Sequence, residues 1–400
     1  MRGPTPLFIF MLFFLQLVVS WLAYRMMIRF GKMGRGWQAP LVYWILTAAA
    51  LMIIYSGRLL RLPATFLQGQ YYDWVSIAYA WTISQLVMVL IGAAGLTASW
   101  LNRKSQKQKT AAGAPGITRR EFLGSAFAAA APLAALGTGF GGVYQASQEM
   151  ALNRYSIPVP GLPAEADGLK IAQLSDLHIG PFFSIGKLEQ IIARLRQERP
   201  DMVVITGDFI DELELAKTAV ERMSAYAPEV PQGIYFCWGN HEYFKDIGRL
   251  TGLLKQSAIH VLDNSSRQIL GGSRPLYLAG VDYPWASNKA EQLDKRKRFL
   301  AEAVKNVPDD ASLLLISHHP DFIEDAFQAG ISLTLTGHTH GGQVAVFGKS
   351  LLPVQYRYMR GLYQQNSSYG YVHSGTGHWL PYRIGCPAEI AFFTLKDKGV

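Results

Sequence analysis

Two hydrophobic patterns divide this chain. In its first third, apolar runs cover 7–24, 40–55, 75–100 and 122–144. A membrane-spanning helix needs about 20 such residues. The first three runs show no polar face, and Trp21, Tyr24, Trp37, Tyr71, Tyr72, Trp74 and Trp100 flank them, as aromatic belts flank spans. The second run is short, and the fourth is rich in Ala and Gly and only weakly hydrophobic. The pattern predicts a bundle of about four transmembrane helices within residues 1–146. After 153 the period changes. Apolar stretches at 170–177, 202–206, 233–238, 276–281, 313–317 and 333–336 read as strands, with shorter ones near Val261 and Gln268. Amphipathic stretches at 185–195, 213–226, 247–256 and 289–304 read as helices, the first capped by Ser184 with Ile185, Leu188, Ile191, Ile192 and Leu195 on one face. The tail, 371–377 and 389–395, is β-rich. This predicts an α/β domain over 169–400, joined to the bundle by a linker at 147–168.

Charge sharpens the division. Residues 1–142 carry 13 Lys and Arg against Asp73 and Glu121, so the net charge of +9 belongs to this part; the remainder holds 25 basic and 27 acidic residues. The basic groups sit between apolar runs, where they act as topology signals rather than as a nucleic-acid surface. Arg25, Arg29, Lys32 and Arg35 in the first loop, and Arg103 to Arg120 in the third, outnumber Arg58 and Arg61 in the second. The positive-inside rule then places the first and third loops in the cytoplasm and the C-terminal domain outside the cytoplasmic membrane. Thr118-Arg119-Arg120-Glu121-Phe122-Leu123 resembles a twin-arginine export signal, which would make the twin-arginine translocase a partner; the bland reading is two more inside charges. Two cysteines make no disulfide framework, and Cys237, inside an apolar run, reads as a buried hydrophobe.

Five motifs follow strand-like runs: Asp176-Leu177-His178, Gly207-Asp208-Phe209-Ile210-Asp211, Gly239-Asn240-His241-Glu242, Ser317-His318-His319-Pro320 and Gly337-His338-Thr339-His340. Imidazole, carboxylate and carboxamide are donors for borderline and hard divalent metals, and α/β sheets bind ligands beyond the carboxyl ends of their strands. Any one of these histidines alone would read as a satisfied core group. The array does not.

The set resembles the signature of the calcineurin-like metallophosphoesterases, with softer flanks in Gly341-Gly342-Gln343, Gly375-x-Gly377, Pro381-x-Arg383 and Pro387-x-Glu389 that resemble its bacterial membrane-anchored or twin-arginine-exported phosphodiesterases. The resemblance implies a four-layer α-β-β-α sandwich and two divalent metal ions, with Mn, Fe and Zn all compatible. It implies that Asp176, His178 and His340 hold one metal, Asn240, His318 and His338 the other, and that Asp208 bridges them. His241 is expected to protonate the leaving oxygen or stabilise phosphoryl charge, oriented by Asp211. His318 rather than His319 is expected as ligand. His260 is expected to be structural, His373 and His378 to lie in loops that rim the site, His378 either at the surface or touching substrate, and Asp282 and Arg383 to support the site or touch substrate. The expected activity is hydrolysis of a phosphodiester, phosphomonoester or pyrophosphate by metal-activated water, on a phosphorylated small molecule or a lipid-linked substrate. A non-catalytic membrane sensor or scaffold is the alternative, which degenerate ligands would have favoured.

Overall fold

The computed structural model describes residues 6–31, 37–59, 70–106, 119–148, 150–272, 274–347, 349–351 and 356–397. They form two compact units, 2–147 and 148–400.

The first unit is helical: α1 (Pro6–Gly31), α2 (Gln38–Leu59), α3 (Gln70–Gln106) and α4 (Arg119–Ser147). Among the described residues three helices are long and apolar enough to cross a membrane, over Ile9–Arg29, Gln38–Ser56 and Tyr71–Ala98. The second is longer than the short apolar run foretold, because Gln38 and Ser56 are absorbed at its ends. The fourth segment is a helix that contains Pro132 and packs through Ala131 and Ala135 against Ala23 and Met88, but among the described residues it is not one of the three apolar enough to span. Polar side chains tie the apolar helices together. Ser20 donates to Gln85 (2.7 Å), Gln85 to Thr47 (2.8 Å) and Trp81 to Thr47 (3.2 Å), while the Tyr43 hydroxyl donates to the Ser20 carbonyl (2.7 Å). Such bonds replace the hydrophobic drive that is missing between helices in lipid. Of the basic loop residues, Lys32, Arg35, Arg61, Lys107 and Lys109 lie outside the described residues, as does Thr118.

The second unit is built on two six-stranded mixed sheets. The first contains β1 (Ala151–Val159), β2 (Lys170–Leu174), β3 (Met202–Thr206), β4 (Ile234–Cys237), β5 (Ile259–Val261) and β14 (Glu389–Asp397), in the order β1-β14-β2-β3-β4-β5. The second contains β6 (Ser265–Leu270), β7 (Leu276–Gly280), β8 (Ser312–Ile316), β9 (Leu333–Thr336), β12 (Gly361–Gln365) and β13 (Ser368–Val372), in the order β12-β13-β9-β8-β7-β6. β10 (Ala345–Val346) and β11 (Lys349–Ser350) form a separate hairpin. Strands β2 to β5 run parallel, as do β7, β8, β9 and β13.

The sheets face one another through a shared core that includes Ile171, Val204 and Phe393 of one and Leu278, Leu314 and Leu335 of the other. Burial on both faces explains why these strands read as continuous apolar runs. α5 (Ile185–Glu198) starts at Ser184, whose side chain accepts from the Lys187 N–H, and buries Leu188, Ile191, Ile192 and Leu195. α6 (Leu213–Tyr226) packs beside it, and α7 (Asn240–Tyr243) and α8 (Ile247–Lys255) follow β4. α9 (Lys289–Val304) and α10 (Phe322–Gln328) cover β7 and β8 through Leu300, Ala303, Phe322 and Ala326.

The stretch expected to be a linker, 147–168, instead supplies an edge strand. β1 pairs in parallel with β14 along its length and buries Ile157 and Val159 completely. Its other positions are half-exposed and it contains Pro158, which an edge strand tolerates. That mixture concealed it.

Candidate metal centre

Each motif occupies the segment that follows a strand. Asp176 and His178 follow β2, Asp208 follows β3, Asn240 and His241 follow β4, His318 follows β8, and His338 and His340 follow β9. Because β2, β3 and β4 are neighbours in one sheet and β8 and β9 in the other, packing of the sheets brings five loops to one place. Backbone bonds stitch these loops together. The His178 N–H donates to the Asp208 carbonyl (2.9 Å), the Asp176 N–H to Gly207 (3.1 Å), and the Gly337 N–H to His318 (3.1 Å).

Convergence this tight shows in the backbone. Asp176, His178, Asp208, His338 and His340 all have φ between 49° and 75°, a region costing about 1–3 kcal/mol for a residue with a side chain. Gly239 is required by close approach. A Cβ there would lie 2.2 Å from Asp208 Oδ1 and 2.4 Å from its backbone nitrogen.

Among the described residues three groups of side chains could hold a metal ion: Asp176, His178 and His340; His178, Asp208 and His241; and Asp208, His318 and His338. In the first, His178 Nε2 and His340 Nε2 are 3.1 Å apart, and His340 Nε2 is 3.3 Å from Asp176 Oδ1. In the last, His318 Nε2 lies 3.2 Å from Asp208 Oδ2 and 3.1 Å from His338 Nδ1 and from Asn240 Oδ1. Donors about 2.1 Å from a common cation stand roughly 3.0–3.4 Å apart, so these spacings fit a shared ion. Asp208 stands between the groups, with Oδ2 also 3.7 Å from His178 Nε2.

Hydrogen bonds select which nitrogen faces inward. His318 Nδ1 donates to the Thr206 carbonyl at 2.7 Å, leaving Nε2 for the cluster. His338 uses Nε2 for the Tyr356 hydroxyl at 2.8 Å and turns Nδ1 inward. Burial works to lower the pKa of His318 and His178. The nearby carboxylates outweigh it, Asp208 and Asp176 lifting His318 to about 10 and Asp211, Asp208 and Asp176 lifting His178 to about 9. This is a pocket that stabilises positive charge. Burial also raises Asp208, but His318, His241 and His178 hold its carboxyl well below the usual range. His338, buried and beside His318, falls to about 3.

Asp211 is no surface carboxylate. Its Oδ1 lies 2.7 Å from His241 Nδ1 and 3.2 Å from His178 Nδ1. His319 faces away from Asp208, its Nδ1 accepting from the Asp321 N–H and its Nε2 meeting the Gln292 amide at 3.2 Å. His260 sits beside Arg267 and Tyr235, remote from the cluster. His373 and His378 are buried, a correction to the surface position expected of His378. The chain at Gly377 packs against the Leu177 backbone, which carries His378 inward. Arg383 is fully buried, donating to the carbonyls of Ser374, Gly377 and Cys386, with Nη2 3.3 Å from His340 Nδ1. It braces the loop behind His340 and is shut off from a substrate. Cys237 is buried and unpaired, as foretold.

Two features escaped the sequence reading. The Glu242 carboxylate accepts four backbone N–H groups, from Phe209 (2.7 Å), Gly239 (3.0 Å), Asp208 (3.1 Å) and Ile210 (3.3 Å), so one side chain fixes two ligand loops. An aromatic rim also surrounds the histidines. The Tyr283 ring is 5.5 Å from those of His319 and His338, Phe244 is 5.4 Å from His241, and Trp285 adjoins Tyr283 and Phe244. Tyr243 and Phe244 directly follow the Asn-His-Glu motif, and Tyr283 and Trp285 follow β7, so the strand-end rule that found the ligands would have found the rim. Asp282 supports it, accepting from the Tyr243 hydroxyl at 2.7 Å on both oxygens; burial raises its pKa to about 6.

Comparison with known proteins points to one family. The family described as calcineurin-like phosphoesterase matches residues 169–342. A "Transmembrane protein with metallophosphoesterase domain" of Danio rerio is 31% identical over 274 residues, 64% of this chain and 60% of that protein. An uncharacterized metallophosphoesterase of Helicobacter pylori is 30% identical, covering 66% of this chain and 69% of that one. Another, of Bacillus subtilis, is 28% identical, covering 70% of this chain and 98% of that one. The match to the transmembrane relatives of Danio rerio and Bos taurus spans only 60% and 59% of their lengths. The chain belongs to the calcineurin-like phosphoesterase family.

Proposed function

We propose that this chain is a membrane-anchored enzyme with a dinuclear centre, hydrolysing a phosphodiester, phosphomonoester or pyrophosphate on the extracytoplasmic side of the cytoplasmic membrane. Asp176, His178 and His340 would hold one divalent cation and Asn240, His318 and His338 the other, with Asp208 common to both. The position of Asp208 carries this reading: its Oδ2 is 3.2 Å from a histidine of one set and 3.7 Å from a histidine of the other. Such a pair of cations, when bound, supplies an acidified water and charge neutralisation at phosphorus.

The chain's own groups do the remaining work. Asp211 holds the His241 Nδ1 proton at 2.7 Å, so the opposite ring nitrogen is left to protonate a leaving oxygen or to donate to a phosphoryl oxygen. The same carboxylate steadies His178. The aromatic rim offers apolar faces to the organic part of a substrate, which suits a lipid-linked phosphoester or pyrophosphate as well as a small molecule. In this reading the globular unit is a four-layer α-β-β-α sandwich of the bacterial exported branch. α4 is then a fourth span, entered through Arg119-Arg120 by way of the twin-arginine translocase.

The test is turnover by the full chain loaded in turn with Mn, Fe or Zn, on bis-p-nitrophenyl phosphate, p-nitrophenyl phosphate and a lipid pyrophosphate. Metal-dependent turnover of at least one class is expected. Silence across the panel by metal-loaded protein would leave only a ligand-binding role. A reporter active solely outside the cytoplasm should work when fused after Val400 and fail when fused at Arg103; the reverse pattern overturns the orientation.

A further inference from the structure

The hairpin of β10 and β11 stands apart from both sheets. Its base is fastened: the Ala345 N–H donates to the Ile384 carbonyl (2.8 Å), the Leu351 N–H to Val344 (2.8 Å), and the Gln343 amide to the carbonyls of Tyr382 (3.0 Å) and Leu380 (3.3 Å). Its tip is bare. Phe347 is 101% exposed, Leu351 63% and Val346 42%, and Trp379 on the adjoining loop is 47% exposed. Among the described residues of the globular unit these are the four most exposed large hydrophobic side chains, and all four lie on this one edge. Phe347 is moreover held at φ 51°, a strained conformation for a bulky residue, with its ring packed on nothing among the described residues.

Charge points the same way. Residues 326–388 contain no Asp or Glu, and Lys349 and Arg360 are exposed on this stretch. Aromatic and aliphatic tips on a stretch whose own charged residues are all basic are the chemistry of an anchor in the headgroup layer of an anionic bilayer. A bilayer is at hand, because the same chain carries three helices long and apolar enough to cross one. The hairpin is also continuous with the candidate centre: it begins three residues after Gly342, and Gly341 and Gly342 directly follow His340.

We infer that Val346, Phe347, Leu351 and Trp379 dock on the surface of an anionic lipid bilayer, setting the loop that carries His338 and His340 beside lipid headgroups. This deepens the proposed function by naming the surface through which a lipid-borne phosphoester would reach the centre, and it rests on that reading for the presence of the membrane.

The test uses the full chain with Phe347→Cys. Cys237 and Cys386 are both buried, so an environment-sensitive fluorophore can be directed to the new thiol. The protein is reconstituted in vesicles of phosphatidylethanolamine and phosphatidylglycerol. Quenching by doxyl-labelled phospholipid and by aqueous iodide is compared with that of a label at Lys297→Cys on the exposed side of α9. The label at 347 should be blue-shifted, several-fold more quenched by doxyl lipid than the label at 297, and shielded from iodide. Open access to iodide without doxyl quenching overturns the inference. Shielding from both quenchers also overturns it, because the occupant is then protein, such as a second copy. If Phe347→Cys fails to fold, Leu351→Cys carries the same measurement. Turnover of bis-p-nitrophenyl phosphate in the same samples separates the two claims: an inactive protein whose tip label is quenched by lipid loses the proposed function and keeps the docking surface.

Discussion

Glu242→Gln is a sharp probe of how the centre is held, because it changes one atom and a charge. In the native chain Oε1 accepts from Phe209 and Ile210, and Oε2 from Asp208 and Gly239. A glutamine offers one oxygen, so its amide nitrogen must face two of these N–H groups. Two buried donors lose their acceptor, at about 1–3 kcal/mol each, for a total of roughly 2–6 kcal/mol. For a domain of this size that is a fall in Tm of roughly 4–24 °C. Thermal unfolding of the detergent-solubilised chain, with metal content measured in parallel, reads both consequences. The loop bearing Asp208 should loosen, and metal affinity should fall with stability. Glu242→Asp is too short to reach both loops and should be comparably harmful. A glutamine variant with wild-type Tm and full metal content would refute the clamp.

Three further outcomes follow from the same geometry. His241→Ala should keep its metals yet lose turnover by roughly 10²–10⁴-fold, and less so for p-nitrophenolate than for alkoxide leaving groups; equal losses with both would remove the acid role. Gly239→Ala places a Cβ 2.2 Å from Asp208 Oδ1, so it should cost about 1–3 kcal/mol or more by overpacking and depress metal content; unchanged metal binding would show that the two loops are free to part. Asp282 has a folded pKa raised to about 6, from an ordinary 3.8, mainly by burial. The folded state therefore binds more protons between those values, and this group's contribution to stability is full below the lower one and lost as pH rises through the upper. Relative to Asp282→Asn, the native chain should lose about 2 kcal/mol between pH 4 and 6; parallel stability profiles of the two proteins would contradict it.

Much of the site was legible because its logic is local. Short apolar runs ended at Thr206, Trp238, Ser317 and Thr336, and the candidate donors came within two residues in each case. Ser184 announced its helix through an ordinary cap. What stayed hidden depends on the far side of the fold. β1 looked like a linker because an edge strand buries only part of one face. Glu242 looked like one more acid, since nothing in its neighbours says that it will collect N–H groups from a loop more than thirty residues earlier. His378 read as a surface residue, and its burial comes from Gly377 lying against the Leu177 backbone. The positive φ angles at Asp176, His178, Asp208, His338 and His340 are likewise imposed by five loops meeting, not by the residues themselves.

Asp208 is the one residue that both proposed sets share. The most direct measurement is therefore the metal content per chain of purified wild type and Asp208→Asn, with turnover of bis-p-nitrophenyl phosphate assayed on the same samples. Two metals in the wild type are predicted, with loss from both sites and the largest fall in activity among the single ligand variants when Asp208 is changed. A variant that retains two metals and near-normal turnover would contradict the account.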